Sequence, residues 1–221
     1  GGSGATGTPS GNVATVDGAT STWTIAGTMR VGAGTAGTNS GLDITNGGAV
    51  TVTGNSFVGY DAVNDDNHVL VSGSDSQLAV QALTISRVAG AANNLVTVAN
   101  GGTLSAASIT LGAAGGTNVG GLVIGAGGAA GAVAPATTIN GVGTDPTVRF
   151  DHGDALHSFD SSLTGTLGVV HDGTGTTELV GASNVYTGPT TVNAGELRIG
   201  GVTATSSVAV KTPGSGSTPS S

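Results

Sequence analysis

Seven ionisable side chains that could do chemistry lie within residues 148–171: Arg149, Asp151, His152, Asp154, His157, Asp160 and His171. An aspartate and a histidine of this group could form a nucleophilic triad with Ser158. However, neighbours in sequence rarely supply all members of a triad, and the G-x-S-x-G motif that presents a nucleophilic serine is absent. We therefore predict that these polar residues lie in a solvated turn, while Phe150 and Phe159 point inward.

A glycine-rich stretch resembles the fingerprint of dinucleotide-binding sites. It runs Val123-Ile124-Gly125-x-Gly127-x-x-Ala130. Asp145 follows at about 20 residues, the spacing of the acidic residue that accompanies this fingerprint. The fingerprint needs glycines that open a helix whose amide groups meet a pyrophosphate. Here the following residues are rich in Gly and Ala, lack an apolar stripe and meet Pro135. We predict no cofactor at this stretch or elsewhere in the chain.

The densest acidic stretch, residues 61–67, could offer oxygen ligands to a cation. Its candidate ligands are Asp61, Asn64, Asp65, Asp66 and Asn67. Their spacing follows no known calcium loop, and the chain has no cysteine for a thiolate site. We predict an exposed connection without a metal, and the sequence leaves open whether this loop binds an ion.

The composition predicts the kind of fold that must position these residues. Among 221 residues there are 42 glycines, while 8% of residues are charged and 3% are aromatic. So few large side chains do not suit a conventional globular core, yet Val, Leu and Ile recur at strand spacing. A solenoid needs only a thin column of stacked apolar side chains and many turns. We predict an all-β parallel β-helix that forms a single elongated domain.

The charge balance argues against two classes of partner. The net charge is −8, and the basic residues are scattered along the sequence: Arg30, Arg87, Arg149, Arg198 and Lys211. A nucleic-acid groove needs clustered Lys and Arg, and so does docking on anionic lipid. We therefore predict no nucleic-acid partner and no docking on anionic lipid. Because no run of apolar residues is long enough to span a bilayer, we also predict no direct membrane insertion.

A long internal repeat covers residues 12–66 and 67–120. Val16-x-Gly18-x-x-Ser21-x-Trp23-x-Ile25 recurs with an offset of 55 as Val71-x-Gly73-x-x-Ser76-x-Leu78-x-Val80. The offset falls to 54 and then 53 further along, as loop-length changes in a solenoid produce. The repeat is too long for one coil and suits two or three. Trp23 aligns with Leu78, and we predict that both fill the core.

Residues 173–201 contain three short extended pieces between turns. If one coil closes in about 20 residues, Leu197 and Ile199 stack over Thr177 and Leu179. This segment is similar to the autotransporter-associated β-strand repeat of bacterial type V secreted proteins. The resemblance is carried by Leu179-x-Gly181, Asn184-x-Tyr186-x-Gly188, Thr190-Thr191-Val192 and Ala194-Gly195-x-Leu197-x-Ile199.

The resemblance implies a right-handed parallel β-helix in the passenger region of an autotransporter, displayed on the bacterial surface or secreted. It also implies that the membrane-inserted part lies elsewhere in the parent chain. We expect an adhesin whose Thr-, Asn- and Ser-lined flank binds another copy, a glycan or a host matrix protein. No individual ligand-binding residue is identified by the sequence, and we expect no enzymatic activity.

Two alternatives remain. The chain could be a passive β-helical stalk that carries a distal functional domain. Less favoured is a polysaccharide-cleaving β-helix with a cleft near residues 151–160, in which Asp154→Asn would abolish turnover. Such a site needs carboxylates on one face of adjacent coils. The repeat does not preserve one, because Asp17 aligns with Ser72 and Asp75 with Thr20.

The two ends of the chain differ in composition from its middle. Residues 1–11 are predicted to be a flexible lead-in or an incomplete first coil, and residues 12–202 the β-helix. Residues 203–221 lose strand character after Val210 and are predicted to be a linker or a disordered tail.

Overall fold

The computed structural model describes residues 10–117, 120–134 and 137–200, together with the backbone of a strand at 208–210. Within these residues the chain forms 21 strands and no helix. The same residues therefore hold no helix of the length and apolarity needed to cross a membrane. The all-β prediction is confirmed for the described part of the chain.

The strands are short and follow one another closely along the chain. In order they are β1 (Val13–Asp17), β2 (Thr22–Ile25), β3 (Met29–Val31), β4 (Gly41–Thr45), β5 (Ala49–Val52), β6 (Ser56–Val58), β7 (His68–Ser72), β8 (Gln77–Ile85), β9 (Leu95–Ala99), β10 (Thr103–Leu111), β11 (Gly121–Ile124), β12 (Ala132–Val133), β13 (Thr138–Gly141), β14 (Thr147–Phe150), β15 (His157–Phe159), β16 (Ser162–Gly165), β17 (Gly168–His171), β18 (Thr176–Leu179), β19 (Thr190–Val192), β20 (Glu196–Ile199) and β21 (Val208–Val210).

These strands form three parallel sheets that run along the solenoid. The first sheet has the order β1-β4-β7-β9-β11-β14-β17-β19-β21. The second sheet contains β2, β3, β5, β6, β8, β10, β12, β13 and β16, and the third has the order β15-β18-β20. Because each strand pairs with the strand one coil earlier and one coil later, the chain winds as a parallel β-helix, and this prediction is confirmed.

The core is a column of side chains that point inward from successive coils. One line of the first sheet runs through Val16, Ile44, Val71, Val98, Ile124, Phe150 and His171 in direct register. From Ile44 onward every member of this line is fully buried. The alternating side of each strand faces outward, as expected for a sheet with one covered face.

The coils shorten along the solenoid. In the first coils Asp17 and Thr45 lie side by side, 28 residues apart, and their side chains share a hydrogen bond. Near the other end, Asp172 and Asn193 make the equivalent contact between neighbouring coils at a separation of only 21 residues. The shorter spacing begins with β14, whose last residue, Phe150, pairs with the residue just before Asp172. The solenoid therefore has a long-coil part and a short-coil part, which join at β14.

The long repeat corresponds to two coils. Trp23 pairs with Val50, which pairs with Leu78, and Val58 pairs with Ile85, which pairs with Leu111. The predicted alignments are therefore confirmed, although the shorter one-coil period was missed.

The double period arises because two kinds of turn alternate. In one kind a serine donates a hydrogen bond from its backbone N–H to the carbonyl oxygen of a preceding glycine, as Ser76 does to Gly73. The next coil turns through Asn-Gly-Gly, and its last glycine packs against the backbone of the coil before it. A Cβ atom on Gly102 would lie 2.5 Å from the carbonyl oxygen of Val71.

Trp23 does not fill the core, and that prediction was wrong. Leu78, with which it aligns, is fully buried, but Trp23 is 43% exposed. The reason is position: β2 pairs with β5 on one side, and no described strand covers its other side. The indole instead lines an open end of the solenoid together with Ala14 and Met29.

The stacking expected in the last third of the chain is confirmed. Leu197 pairs with Thr177, and Ile199 pairs with Leu179. The predicted lead-in at 1–11 and tail at 203–221 lie mostly outside the described residues. Within the tail, β21 pairs in parallel with β19.

Candidate interaction surfaces and a buried histidine network

Apart from Arg30 in β3, the second sheet presents an outer face without charge. We call the outward side chains of β2, β5, β8, β10, β12, β13 and β16 the uncharged flank, because none of these seven strands contains a charged residue. One of its ladders runs through Thr24, Thr51, Ala79 and Ser105 in direct register. The flank therefore presents small side chains, many of them hydroxyl-bearing, at the regular spacing of the coils.

A shallow groove of about 380 Å³ lies on the outer face of the first sheet. Gly121 forms its floor between Leu95, which is 42% exposed, and Thr147 on the neighbouring strands. At one end Arg149 forms an ion pair with Asp172 at 2.5 Å. The groove is thus mostly apolar with a charged rim.

The fold brings together two of the five basic side chains that are scattered in the sequence. The guanidinium groups of Arg30 and Arg87 stack on Tyr60, with their central carbons 4.0 Å and 4.1 Å from the ring centroid. Phe57 packs edge-on against the same ring at 5.0 Å. Cation–π contacts of this kind hold extended side chains in place at an exposed site.

The fourth feature is a group of imidazoles inside the solenoid. His152 and His171 are fully buried, and their ring centroids lie 5.7 Å apart. The prediction that these residues lie in a solvated turn was wrong for both. The prediction that Phe150 and Phe159 point inward is confirmed, because both are buried and pack edge to face at 5.0 Å.

Hydrogen bonds join the two imidazoles through Thr177, and we call His152, Thr177 and His171 the histidine network. The Nε2 atoms of His152 and His171 lie 2.7 Å and 3.1 Å from the Thr177 hydroxyl oxygen. The Nδ1 atom of His152 accepts the backbone N–H of Asp154 at 3.2 Å, so Nε2 carries its proton in the neutral ring. The Nδ1–H of His171 donates to the carbonyl oxygen of Ala194 at 2.9 Å. Thr177 then donates to His171, and every polar atom of the network is satisfied.

His157 lies beside this network. Its ring centroid is 5.2 Å from that of His152, and its Nε2 atom is buried without a hydrogen bond. Burial lowers the pKa of His152 below its ordinary value of 6.5, an effect that the Asp154 carboxylate opposes. Burial also lowers the pKa of His157, and the neighbouring His152 adds to that shift. Both rings are therefore neutral at pH 7.

Residues 170–199 match the family model described as passenger-associated-transport-repeat. We call these residues the transport repeat. This match agrees with the resemblance found at residues 173–201. Together with the β-solenoid, the repeat fits the passenger domain of an autotransporter. Comparison with the curated proteins and with the solved structures gave no match.

The transport repeat contributes most of the histidine network. His171 ends β17, Thr177 lies in β18, and Ala194 follows β19, so all three lie within the matched residues. His152 and His157 come from the preceding coil. The network therefore spans the boundary between the transport repeat and the rest of the solenoid.

The structure does not assemble a triad with Ser158. Ser158 is exposed, whereas His157 and Phe159 on either side of it in β15 face the interior. Asp154 has a different role: its Oδ2 atom accepts the backbone N–H of Ala130 at 2.8 Å, which ties two coils together.

The resemblance to the dinucleotide fingerprint comes from turns between strands. Gly125 and Gly127 have positive φ angles of 96° and 78°, and strand β12 follows them rather than a helix. A Cβ atom on Gly125 would lie 2.2 Å from the carbonyl oxygen of Asp151. This glycine thus allows close stacking of coils. Asp145 lines the groove on the first sheet.

The acidic stretch at residues 61–67 is not a simple exposed connection, and this prediction needs correction. Asn64 and Asn67 are fully buried. Asn67 Nδ2 donates to Asn94 Oδ1 at 2.9 Å, and the Asp65 carboxylate accepts the backbone N–H of Ala92 at 2.7 Å. These side chains therefore bridge neighbouring coils. Among the described residues no group of three or more His, Cys, Asp or Glu side chains is placed to hold a metal ion.

A sequence signal for the buried imidazoles did exist. Val148-x-Phe150-x-His152 and Val169-x-His171 both have the period of two that places alternate side chains on one face. The period assigns His152 and His171 to the side of the buried Val148 and Val169. Their usual preference for solvent outweighed this pattern in the sequence-based prediction. The joining partner, Thr177, could be located only once the length of the coil was known.

Proposed function

We propose that this chain is part of a surface-displayed or secreted autotransporter passenger that acts as an adhesin through the uncharged flank. The observation that carries the proposal is the absence of charged residues from the seven strands β2, β5, β8, β10, β12, β13 and β16. In a chain with a net charge of −8, this face is an area where another molecule can approach without electrostatic repulsion.

The chemistry of the flank suits many weak contacts. Hydroxyl and amide groups donate and accept hydrogen bonds, and burying them against a partner costs less than burying a charge. Their regular ladders match partners that also repeat, such as a second copy of the chain, a glycan or a fibrous host matrix protein. Binding energy is then spread over many positions, so single substitutions cause small, additive losses.

We propose attachment without catalysis. Support comes from Asp154, whose carboxylate accepts a backbone N–H from the neighbouring coil, and from Ser158, which lies on the opposite side of β15 from His157. A passive stalk is the rival hypothesis, since a solenoid of stacked coils is also a suitable spacer.

Sedimentation velocity over a wide concentration range tests the proposal. We expect the chain to form a dimer or larger species. We expect the double substitution Thr51→Glu and Ser105→Glu to weaken this association at least tenfold. Both residues are exposed on the flank, so two carboxylates there oppose each other across an interface. The matched control, Thr97→Glu with Thr191→Glu, adds the same charge to the outer face of the first sheet and is expected to leave association unchanged.

If the chain is monomeric at every concentration, the next measurement is binding to arrays of glycans and matrix proteins. Retention of the wild type and of the control, but not of the flank variant, supports attachment to a host ligand. A monomer that is retained by neither array contradicts the adhesin and favours the stalk.

A further inference from the structure

We propose that the histidine network is an acid-sensitive junction that fastens the transport repeat to the long coils of the solenoid. Its imidazoles hold neighbouring coils together by hydrogen bonds. When His152 takes up a proton, the junction opens locally and loosens the short-coil part first. This inference is independent of the adhesin proposal, because it concerns the interior of the solenoid.

The position of the network makes it a junction. It lies where the long coils give way to the short ones, beside the pairing of Phe150 with His171. His152 follows β14, Thr177 is in β18, and Ala194 follows β19, so the hydrogen bonds cross three successive coils. Other buried polar side chains, such as Asn67 and Asn94, also link neighbouring coils, but they do not titrate and they lie away from this boundary.

The hydrogen bonds leave no place for an additional proton. A proton on Nδ1 of His152 would face the backbone N–H of Asp154, which that atom now accepts at 3.2 Å. A proton on Nε2 of His171 would require the Thr177 hydroxyl hydrogen to leave its acceptor, 3.1 Å away. In either case a buried donor loses its partner, which is costly in an environment without water.

The charged groups around the network do not remove this conflict. Asp154 Oδ2 lies 3.6 Å from His152 Nδ1, too far for a hydrogen bond, and it accepts the N–H of Ala130. Asp151 and Asp160 favour the protonated forms of His152 and His157 respectively, whereas the imidazoles oppose protonation of one another. On the outer face of β14 and β17, Arg149 is paired with Asp172. Burial has the largest effect on both rings.

The sign of the pH dependence follows from the lowered pKa values of His152 and His157. In the unfolded chain both imidazoles take up protons near their ordinary pKa of 6.5, whereas the folded chain resists protonation. The unfolded state therefore binds more protons below about pH 6.5, and stability falls as the pH is lowered through this range. Carboxylates titrate near pH 4, so the range from about pH 7 to 5 isolates the histidines.

The first experiment measures unfolding of the whole chain by circular dichroism in denaturant between pH 7.5 and 5.5. We expect the unfolding constant to rise about tenfold per pH unit for each imidazole that stays neutral in the fold. Hydrogen exchange at the two pH values, corrected for the intrinsic rate, should show faster exchange in residues 168–199. Residues 41–111, in the long coils, should be unchanged.

Two variants separate the network from other histidines. His152→Gln removes one of the two rings whose pKa is lowered and is expected to reduce the acid response about tenfold per pH unit, at the cost of lower stability at pH 7.5. His68→Gln is the matched control, because His68 is the remaining histidine of the four and pairs on the outer face with Asp43. The control should retain the full response, and a response lost in His68→Gln instead would overturn the proposal.

Histidine-selective nuclear magnetic resonance of the wild type decides the question even if His152→Gln does not fold. Long-range ¹H–¹⁵N spectra at pH 7.5 should show protons on Nε2 of His152 and on Nδ1 of His171. A His152 ring that stays neutral well below about pH 6.5 supports the junction. Titration of His152 and His157 at or above that pH without faster exchange in residues 168–199 overturns it, and so does stabilisation by equimolar Zn²⁺, which would make the rings metal ligands.

Discussion

Replacing Gly102 by alanine is expected to destabilise the solenoid by about 1–3 kcal/mol or more, because the new methyl group meets backbone rather than a movable side chain. Its Cβ atom would lie 2.5 Å from the carbonyl oxygen and 2.9 Å from the carbonyl carbon of Val71. Hydrogen bonds hold stacked coils about 4.8 Å apart. Neither coil can move away from the new methyl group without breaking several of these hydrogen bonds. Chemical denaturation followed by circular dichroism measures the loss.

Gly153→Ala provides the matched control for Gly102→Ala. The nearest atoms to a Cβ at Gly153 are Thr174 Oγ1 at 3.7 Å and the Gly128 carbonyl oxygen at 3.9 Å, which are ordinary contacts. This variant should be neutral or slightly stabilised, since alanine restricts the unfolded chain more than glycine does. Equal destabilisation by both variants would mean that lost flexibility, rather than close stacking, explains the effect.

The same close contact explains why the internal repeat of the sequence spans two coils. A Cβ on Gly48 would lie 2.2 Å from the carbonyl oxygen of Val16, which repeats the relation of Gly102 to Val71 two coils later. Tight Asn-Gly-Gly turns therefore occur on alternate coils, and the most visible repeat spans two coils rather than one. The sequence carries the register of the coils in these turns and in the apolar period of two.

The position of a side chain along the solenoid could not be predicted from that register. Trp23 occupies the same line as Val50 and Leu78, and the pattern alone assigns all three to the core. Burial also requires a coil on each side, and the described residues supply only one for β2. The indole is therefore exposed for a reason that local sequence does not contain.

Contacts between coils were the part of the candidate sites least visible in the sequence. Arg30 and Arg87 belong to different coils, yet both stack on Tyr60 because successive coils place them side by side. Thr177 likewise reaches His152, 25 residues earlier, across one coil. Because the separation of stacked residues changes from 28 to 21 residues along the solenoid, such pairs require the actual register and not an average period.

Replacing Phe150 by alanine is expected to cost about 3–5 kcal/mol of stability, the range found for buried aromatic side chains. Phe150 is fully buried, packs edge to face on Phe159 at 5.0 Å and stacks on the His171 ring at 6.4 Å. It lies where long coils meet short ones, so the cavity would remove packing from both sides of the junction. Thermal and chemical unfolding by circular dichroism measure the loss.

Trp23→Ala is the informative comparison, because tryptophan is larger than phenylalanine and the sequence predicts that both residues are buried, whereas the structure buries only Phe150. Trp23 is 43% exposed at an open end of the solenoid. Its truncation should therefore cost much less stability than the truncation of Phe150. A solenoid couples mainly neighbouring coils, so damage at Phe150 should also be local. In Phe150→Ala the fluorescence of the single tryptophan, which reports β2, should therefore change at a higher denaturant concentration than the far-ultraviolet signal. Coincident transitions would show instead that the long and short coils unfold as one cooperative unit.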